Sequence, residues 1–411
     1  MKWRSSWRGW ISSVIRSMEK GTLAPERSRR LQNLPAYPLA GVPGARVRLE
    51  ASGVDVIDLG AGDADLDPPP EAVRRLAEAG SQRSMSRYPF QSGLSDLREA
   101  IASWMDERFG LRLDPYTEIL PLMGSKEGIA KLPLAFLDPG DAAVIPDPGY
   151  QAYQGGVILA GGEPHLVPLR TENDYLVPLD EIPDDVRSRL GLMYLNYPNN
   201  PTAATAPPEY LGHVVDFCRR YDAVLVHDHA YSEIAFDGYR PPSILEVEGA
   251  DGIALEFHSF SKTYNMTGWR LGWVAGNADL IESLTLVKTV MDIGVFKAVQ
   301  AAGASALAAY EHWVPGNVAR FQVRRDIAVE GLRQAGFTVT EPKATMYLWV
   351  PVPGGGSSLA FAERALEEAG VVVLPGAALG AGGEGFFRIA LTVDEERMRA
   401  AVARLGRLAP G

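Results

Sequence analysis

The chain has 411 residues, 46% of them hydrophobic and 22% charged, and a formal net charge of −11. This is the profile of a soluble globular protein with room for one large domain and a smaller one. The acidity argues against nucleic acid as the main partner, no run approaches the roughly 18 apolar residues of a membrane span, and a single cysteine, Cys218, excludes an internal disulfide and suits a reducing cytoplasm. Cys218 falls in the helical run His213–Cys218, where its apolar neighbours mark it as a packed core thiol.

The first thirty residues depart from the rest. Lys2, Arg4, Arg8, Arg16, Lys20, Arg27, Arg29 and Arg30 face only Glu19 and Glu26, a local charge of +6. The apolar stretch Trp10–Ile15 is too short and polar for a signal peptide, and translation is expected to begin near Met18. Glu26–Leu34 reads as a short helix leading into an extended arm, Pro35-Ala-Tyr-Pro38.

Val54–Leu59 predicts a strand, followed by a Gly60-Ala-Gly62 turn and a proline run, Pro68–Pro70, that should start a helix at Glu71. The two glycines fit either a plain turn or a backbone approach to a ligand. Ser86–Gly93, with Tyr88, is a loop, and Leu94–Gly110 is an amphipathic helix ending at its glycine. Ile119–Met123 predicts a strand entering Gly124-Ser125-Lys126-Glu127-Gly128 and then a helix. Such a junction is a natural anion site, because free N–H groups and the helix dipole face the ligand; a simple strand-to-helix turn is the other reading. It is no P-loop, since the G-x₄-G-K-[ST] pattern is absent.

Further strands are predicted at Ala142–Pro146, Leu192–Asn196, Ala223–His227, Ile253–Phe257 and Leu271–Ala275, with a helix over Glu209–Tyr221. Polar residues gather just past the strand ends: Tyr150, Asn200, and Asp228 with Tyr231. Strands between helices, with chemistry at their carboxyl ends, indicate a mainly parallel sheet covered on both faces. After Asn277 the pattern turns helical (Ala278–Val290, Phe296–Tyr310, Val318–Ala335). Short strands follow at Thr338–Thr340, Tyr347–Val350, Val371–Leu374 and Phe386–Leu391, and a last helix closes a smaller α+β region.

The stretch Ser259-Phe-Ser-Lys-Thr-Tyr-Asn-Met-Thr-Gly-Trp-Arg270 carries the most chemistry. A free lysine amine is protonated at neutral pH and a poor nucleophile, but burial beside cations turns it into a Schiff-base former. Lys262 lies between small hydroxyl residues, with Ser259 and Ser261 able to bond a phosphate and Arg270 able to grip it bidentately. Alone, the pattern could be an ordinary loop.

Taken together, these motifs resemble the class I/II aminotransferases of fold type I, which use pyridoxal 5′-phosphate, from about residue 30 to the end. The resemblance implies an α/β fold: a large cofactor domain (62–295) with a mostly parallel seven-stranded sheet, a smaller α+β domain (35–61 and 296–411) and an N-terminal extension (1–34). It implies that Lys262 forms the Schiff base and moves the substrate proton, that Asp228 faces the ring nitrogen, and that Tyr231 and Asn200 bond the phenolic oxygen. Tyr150 would stack on the ring, while Ser125, Lys126, Ser259, Ser261 and Arg270 hold the phosphate. Tyr88 would reach the phosphate from a second subunit, making the active unit a homodimer. Arg388 would clamp the substrate α-carboxylate, with Gly62, Asn200 and Tyr37 also at the substrate; no metal is implied. Asn200-Pro201 is expected to be cis. The family's N-P-T-G is Asn200-Pro-Thr-Ala203 here, which suggests a turn of another type at Ala203, because a positive φ there would cost alanine about 1–2 kcal/mol.

Whole phrases, among them Gly124–Ala130, Asn196–Thr202, Tyr231–Pro242 and His258–Arg270, are most similar to the bacterial LL-diaminopimelate aminotransferases. Related groups acting on alanine, aspartate or aromatic acids share most of them, and a C–S lyase on the same fold is the alternative chemistry. A pyridoxal-phosphate-binding regulator would need a helix-turn-helix module, and the short basic extension is too small to build one.

Overall fold

A computed structural model describes residues 26–35, 47 and 49–409; Met18 and Tyr37 lie outside them. The chain forms two compact units, Met1–Leu34 and Pro35–Gly411. In the first, the described residues hold a short helix, Arg29–Gln32, capped by the Ser28 hydroxyl.

In the second unit, β1 (Ile57–Asp58) pairs with a strand near the C-terminus. The next seven strands form one sheet: β2 (Ile119–Leu122), β3 (Ala142–Asp147), β4 (Glu163–Pro168), β5 (Leu190–Leu195), β6 (Val224–Asp228), β7 (Ala254–Ser259) and β8 (Gly272–Gly276). Their order is β2-β8-β7-β6-β5-β3-β4. Pairs from β4 through β7 are parallel, and β8 runs against both neighbours. The carboxyl ends of β2 to β7 therefore share one edge with the start of β8.

Alternation along the strands explains why the sheet is covered on both faces. Met193 and Leu195 of β5 join the core beneath the helix Pro208–Arg220, which contributes Leu211, Val214 and Cys218. Leu192 and Tyr194 point the other way, against Ile129, Val157 and Leu284 of three further helices. At about 25 cal/mol per Å² of apolar surface, these two buried layers are what hold the helices to the sheet.

The remaining strands are β9 (Tyr347–Pro351), β10 (Val371–Val372), β11 (Leu374–Pro375) and β12 (Phe386–Ala390), with β11-β12-β9 antiparallel and β1 beside β10. Together with the helices Tyr310–Gln334, Ser358–Ala369 and Glu395–Leu405 they build a separate core that takes in Ile57 and Leu59. The helix Lys297–Ala308 instead packs its alanines against Pro70–Gly80 and Ser95–Phe109.

One expected strand is missing and one unexpected strand is present. Thr338–Thr340 forms no strand and pairs with none among the described residues. Glu163–Pro168 is a strand the pattern hid: it lies at the sheet edge, bonded on one side only, where Pro164 and exposed polar residues are tolerated. Asn200-Pro201 is cis as expected, as are Asp147-Pro148 and Tyr197-Pro198.

Candidate active site

The shared edge opens into a cavity of about 520 Å³. Its wall includes Gly62, Ser125, Lys126, Tyr150, Asn200, Asp228, Tyr231, Ser259, Ser261, Lys262, Arg270 and Arg388, all anticipated from sequence. Tyr88 is not brought there; it is 67% exposed on the surface. Tyr347, Asn196 and Thr267 line the cavity without having been foreseen.

The cup for an anion is built from two turns. Gly124, at φ +77°, precedes the helix Ser125–Lys131, and a Cβ there would stand 2.3 Å from a terminal nitrogen of Arg270. Only glycine satisfies both the left-handed backbone and the approach of the guanidinium. Arg270 is itself left-handed (φ +56°) and donates to the Thr267 carbonyl at 2.8 Å, which fixes its guanidinium toward the cup. Ser259 caps the turn carrying the lysine, its hydroxyl accepting from the Ser261 N–H at 3.2 Å. Lys262 Nζ donates to the Gly62 carbonyl at 2.5 Å.

Asp228 ends β6 and is buried. Oδ2 accepts from the Tyr153 hydroxyl at 2.8 Å, but Oδ1 has no partner among the described residues. Burial raises its carboxyl above the ordinary range, opposed by the Tyr153 hydrogen bond. Asn196 holds the backbone here, donating to the Asp228 carbonyl at 2.6 Å and accepting from the Asn200 N–H at 2.8 Å. Asn200 Nδ2 reaches the Tyr231 hydroxyl at 3.3 Å, and its Oδ1 accepts from Arg388 at 2.8 Å. Arg388 also donates to the Gly60 carbonyl at 2.8 Å, while its buried Nε is unpartnered. Burial pushes the Tyr150 phenol up to about 12, so it presents a neutral ring, with Lys126 Nζ 5.5 Å from its centroid.

Ala203 corrects the expectation of another turn type. Its φ is +59°, and its N–H donates to the Asn199 carbonyl at 2.9 Å. The tight turn that aims Asn200 is kept, and the alanine carries the strain of a left-handed residue.

Behind β6 and β7, facing away from the cavity, lies a buried polar cluster. Glu256 accepts from the Ser243 hydroxyl and the Ile244 N–H, both at 2.8 Å, and lies 2.9 Å from His227 Nδ1 and 2.8 Å from His258 Nε2. Burial opposes its ionisation, but the three surrounding histidines outweigh that and hold its carboxyl well below the usual range. His227, His229 and Glu256 bring potential ligand atoms within 4.8 Å of one another. With four donors already on the carboxylate, the arrangement is a hydrogen-bonded brace between strands. His229 Nδ1 lies 3.4 Å from the same carboxylate, its Nε2 has no partner among the described residues, and burial lowers its pKa to about 3.

Pyridoxal phosphate fits these residues. The orphaned Asp228 Oδ1 is a buried acceptor awaiting a cationic donor such as a ring nitrogen, and the glycine-shaped cup under Arg270 admits a phosphate. Asn200 and Tyr231 offer donors for a phenolic oxygen, and Lys262 supplies the amine between them.

Comparison with known proteins agrees. The family profile "Aminotransferase class I and II" matches residues 54–405. The chain is 48% identical over 378 residues to the LL-diaminopimelate aminotransferase of Desulforudis audaxviator, covering 92% of this chain and 96% of that one. It is 46% identical over 383 residues to that of Moorella thermoacetica, covering 93% and 98%. Among solved structures, substrate-bound BacF from Bacillus subtilis superposes with a TM-score of 0.89 at 32% identity, covering 94% and 98% of the two chains. A Thermus thermophilus aspartate aminotransferase variant gives 0.87 at 27%, covering 94% and 100%. A lysine in the turn after β7, a half-satisfied buried carboxylate at the end of β6 and a profile spanning nearly the whole second unit have one explanation: the chain belongs to the class I and II aminotransferases and is a pyridoxal-phosphate-dependent transaminase.

Proposed function

We propose that the chain transfers an amino group from LL-2,6-diaminopimelate to a 2-oxo acid such as 2-oxoglutarate. The observation that carries this reading is a cavity of about 520 Å³ lined by two cations, Arg388 and Lys126, besides Lys262 and Arg270. A substrate with a carboxylate at each end uses both; alanine uses one. The relatives named for this activity, 46–48% identical over most of the chain, support it.

Bound pyridoxal phosphate supplies an aldehyde carbon and an electron-accepting ring. The protein's residues do the rest. Ser125, Ser259, Ser261 and Arg270 hold the phosphate, with Lys126 beside them. Asp228 keeps the ring nitrogen protonated by placing a buried negative charge against it. Tyr231 and Asn200 would donate to the phenolic oxygen, and Tyr150 would supply an aromatic face for the ring. Arg388 binds the α-carboxylate through its fork, already aimed by Asn200 and the Gly60 carbonyl. Lys262 Nζ would take the proton from the substrate α-carbon and deliver it to the cofactor's aldehyde-derived carbon, a positioned base worth about 10²–10⁴-fold. Gly62 and Tyr37 complete the substrate side on this reading.

The domain organisation proposed is a cofactor domain, 62–295, and a smaller domain, 35–61 with 296–411, after the extension 1–34. Lys297–Ala308, though assigned to the smaller domain on this reading, packs its alanines against helices of the larger one. A homodimer is proposed, with Tyr88 lending its hydroxyl to the partner's phosphate cup. Supporting it, Tyr88, Phe90, Val290, Met291, Ile293 and Phe296 are all exposed apolar side chains, between 45% and 84%. A cytoplasmic location is proposed from the lone buried thiol of Cys218; no helix among the described residues is long and apolar enough to cross a membrane.

The test is kinetic. With 2-oxoglutarate as acceptor, kcat/KM for LL-diaminopimelate should exceed that for alanine by about 100-fold, the discrimination that one further charge-assisted contact supplies, and should also exceed that for the shorter aspartate. Equal values would remove the substrate assignment, and ammonia released from cystathionine would favour lyase chemistry. Sedimentation of the native protein as a monomer would remove the dimer.

A further inference from the structure

Tyr347 lies in β9, and its side chain is 2% exposed. The Arg388 guanidinium carbon sits 4.0 Å from its ring centroid, within cation–π range. Tyr231 meets the same ring nearly edge-on, with centroids 5.5 Å apart and planes at 71°, and the two hydroxyl oxygens are 3.2 Å apart. The hydroxyl also explains Gly62, which has no left-handed φ: a Cβ there would stand 2.1 Å from the Tyr347 oxygen. Burial opposes ionisation of this phenol, but the Lys262 and Arg388 cations outweigh it and the net shift is downward. One side chain thus touches the carboxylate clamp, the phenolic-oxygen donor and the turn against which Lys262 is bonded.

From this geometry we infer that Tyr347 is a positioning residue with two separable parts. Its ring face fixes the Arg388 guanidinium for the substrate carboxylate, and its hydroxyl orients the Tyr231 hydroxyl toward the cofactor's phenolic oxygen. The inference rests on the roles assigned above to Arg388 and Tyr231, so Arg388→Ala and Tyr231→Phe are measured beside it.

The experiment uses holoenzyme and two readouts besides turnover: the pH midpoint of the bound cofactor's absorbance, and calorimetric affinity for glutarate, an unreactive dicarboxylate. Tyr347→Phe keeps the ring and removes the hydroxyl. Its absorbance midpoint should rise by about one pH unit, the equivalent of one weakened hydrogen bond to a charged group, with glutarate affinity within about twofold of wild type. Tyr347→Leu removes both parts, so glutarate should bind about tenfold more weakly as well. Should the leucine variant not accumulate as holoenzyme, Tyr347→Met fills the wall without a π face and takes its place. Gly62→Ala should impair the enzyme, and Tyr347→Phe should partly rescue it by removing the clashing oxygen.

An unmoved midpoint in Tyr347→Phe overturns the hydroxyl half. Unchanged glutarate affinity in Tyr347→Leu overturns the ring half. Lost thermal stability with neither readout moved means a structural residue only and overturns both. If Arg388→Ala leaves glutarate binding intact, or Tyr231→Phe leaves the midpoint in place, the prior assignment has failed instead.

Discussion

The buried carboxylates on the two sides of the β6–β7 strand ends, Asp228 and Glu256, are met in opposite ways. On the cavity side Asp228 Oδ1 and Arg388 Nε have no partner among the described residues, and Arg270 and Ala203 are left-handed. On the far side the Glu256 carboxylate has a full set of donors and ties Ser243, His227 and His258 together. An unmet group costs stability until a ligand meets it, whereas a satisfied buried cluster costs stability when it is broken. Substitutions in front should change chemistry with little change in folding, and those behind should do the reverse.

The largest effect tests the front. Lys262→Ala should lower kcat by about 10⁴-fold and abolish the protein-linked cofactor absorbance, with thermal unfolding of the cofactor-free protein unchanged. A parallel fall in stability would blur the contrast. Next, Glu256→Gln should cost about 3 kcal/mol in denaturant unfolding, because the new amide faces donors and leaves a buried cluster broken. KM for the amino donor should stay near wild type; a pure activity loss would reverse the assignment of sides.

The third prediction concerns pH. Burial keeps the His229 pKa near 3, whereas the unfolded chain takes the proton at about 6.5. A lowered histidine pKa means stability fully present above the unfolded value and lost as pH falls below it. Between pH 7 and 5 this one group should remove about 2 kcal/mol, and His229→Phe should remove that part of the slope. Unfolding free energies of the two proteins at both pH values check it.

Smaller effects return to the front. Arg388→Lys should raise KM for the amino donor about tenfold by losing the bidentate fork, while cofactor affinity stays within about twofold. Ala203→Gly should relieve left-handed strain, but a freer unfolded chain offsets part of it, so the net gain in unfolding free energy is below about 1 kcal/mol.

The sequence reading reached the cavity because each turn announces itself locally. Gly124-Ser125-Lys126, Asn200-Pro201, Asp228 to Tyr231 and Ser259 to Arg270 each follow an apolar run, and parallel strands bring such turns to one edge. Tyr347 carried no such mark. It sits mid-strand in an apolar run, and its contacts with Gly62, Tyr231 and Arg388 depend on how distant segments dock. Ala203 was misjudged from propensity alone, where the turn's hydrogen bond from Ala203 to Asn199 overrode the preference of alanine. Glu163–Pro168 escaped because an edge strand needs neither apolar alternation nor a free N–H at every position.

The reversal of β8 has a further consequence. Because Ser259 is paired with Gly272 across neighbouring antiparallel strands, the residues from Phe260 to Leu271 leave the sheet and re-enter it at a fixed rung. That segment is a ruler: inserting or deleting one residue between the lysine and the arginine would move the two ends of the cofactor's cradle out of step. Lineages of this protein should tolerate changed letters inside the segment far better than a changed length.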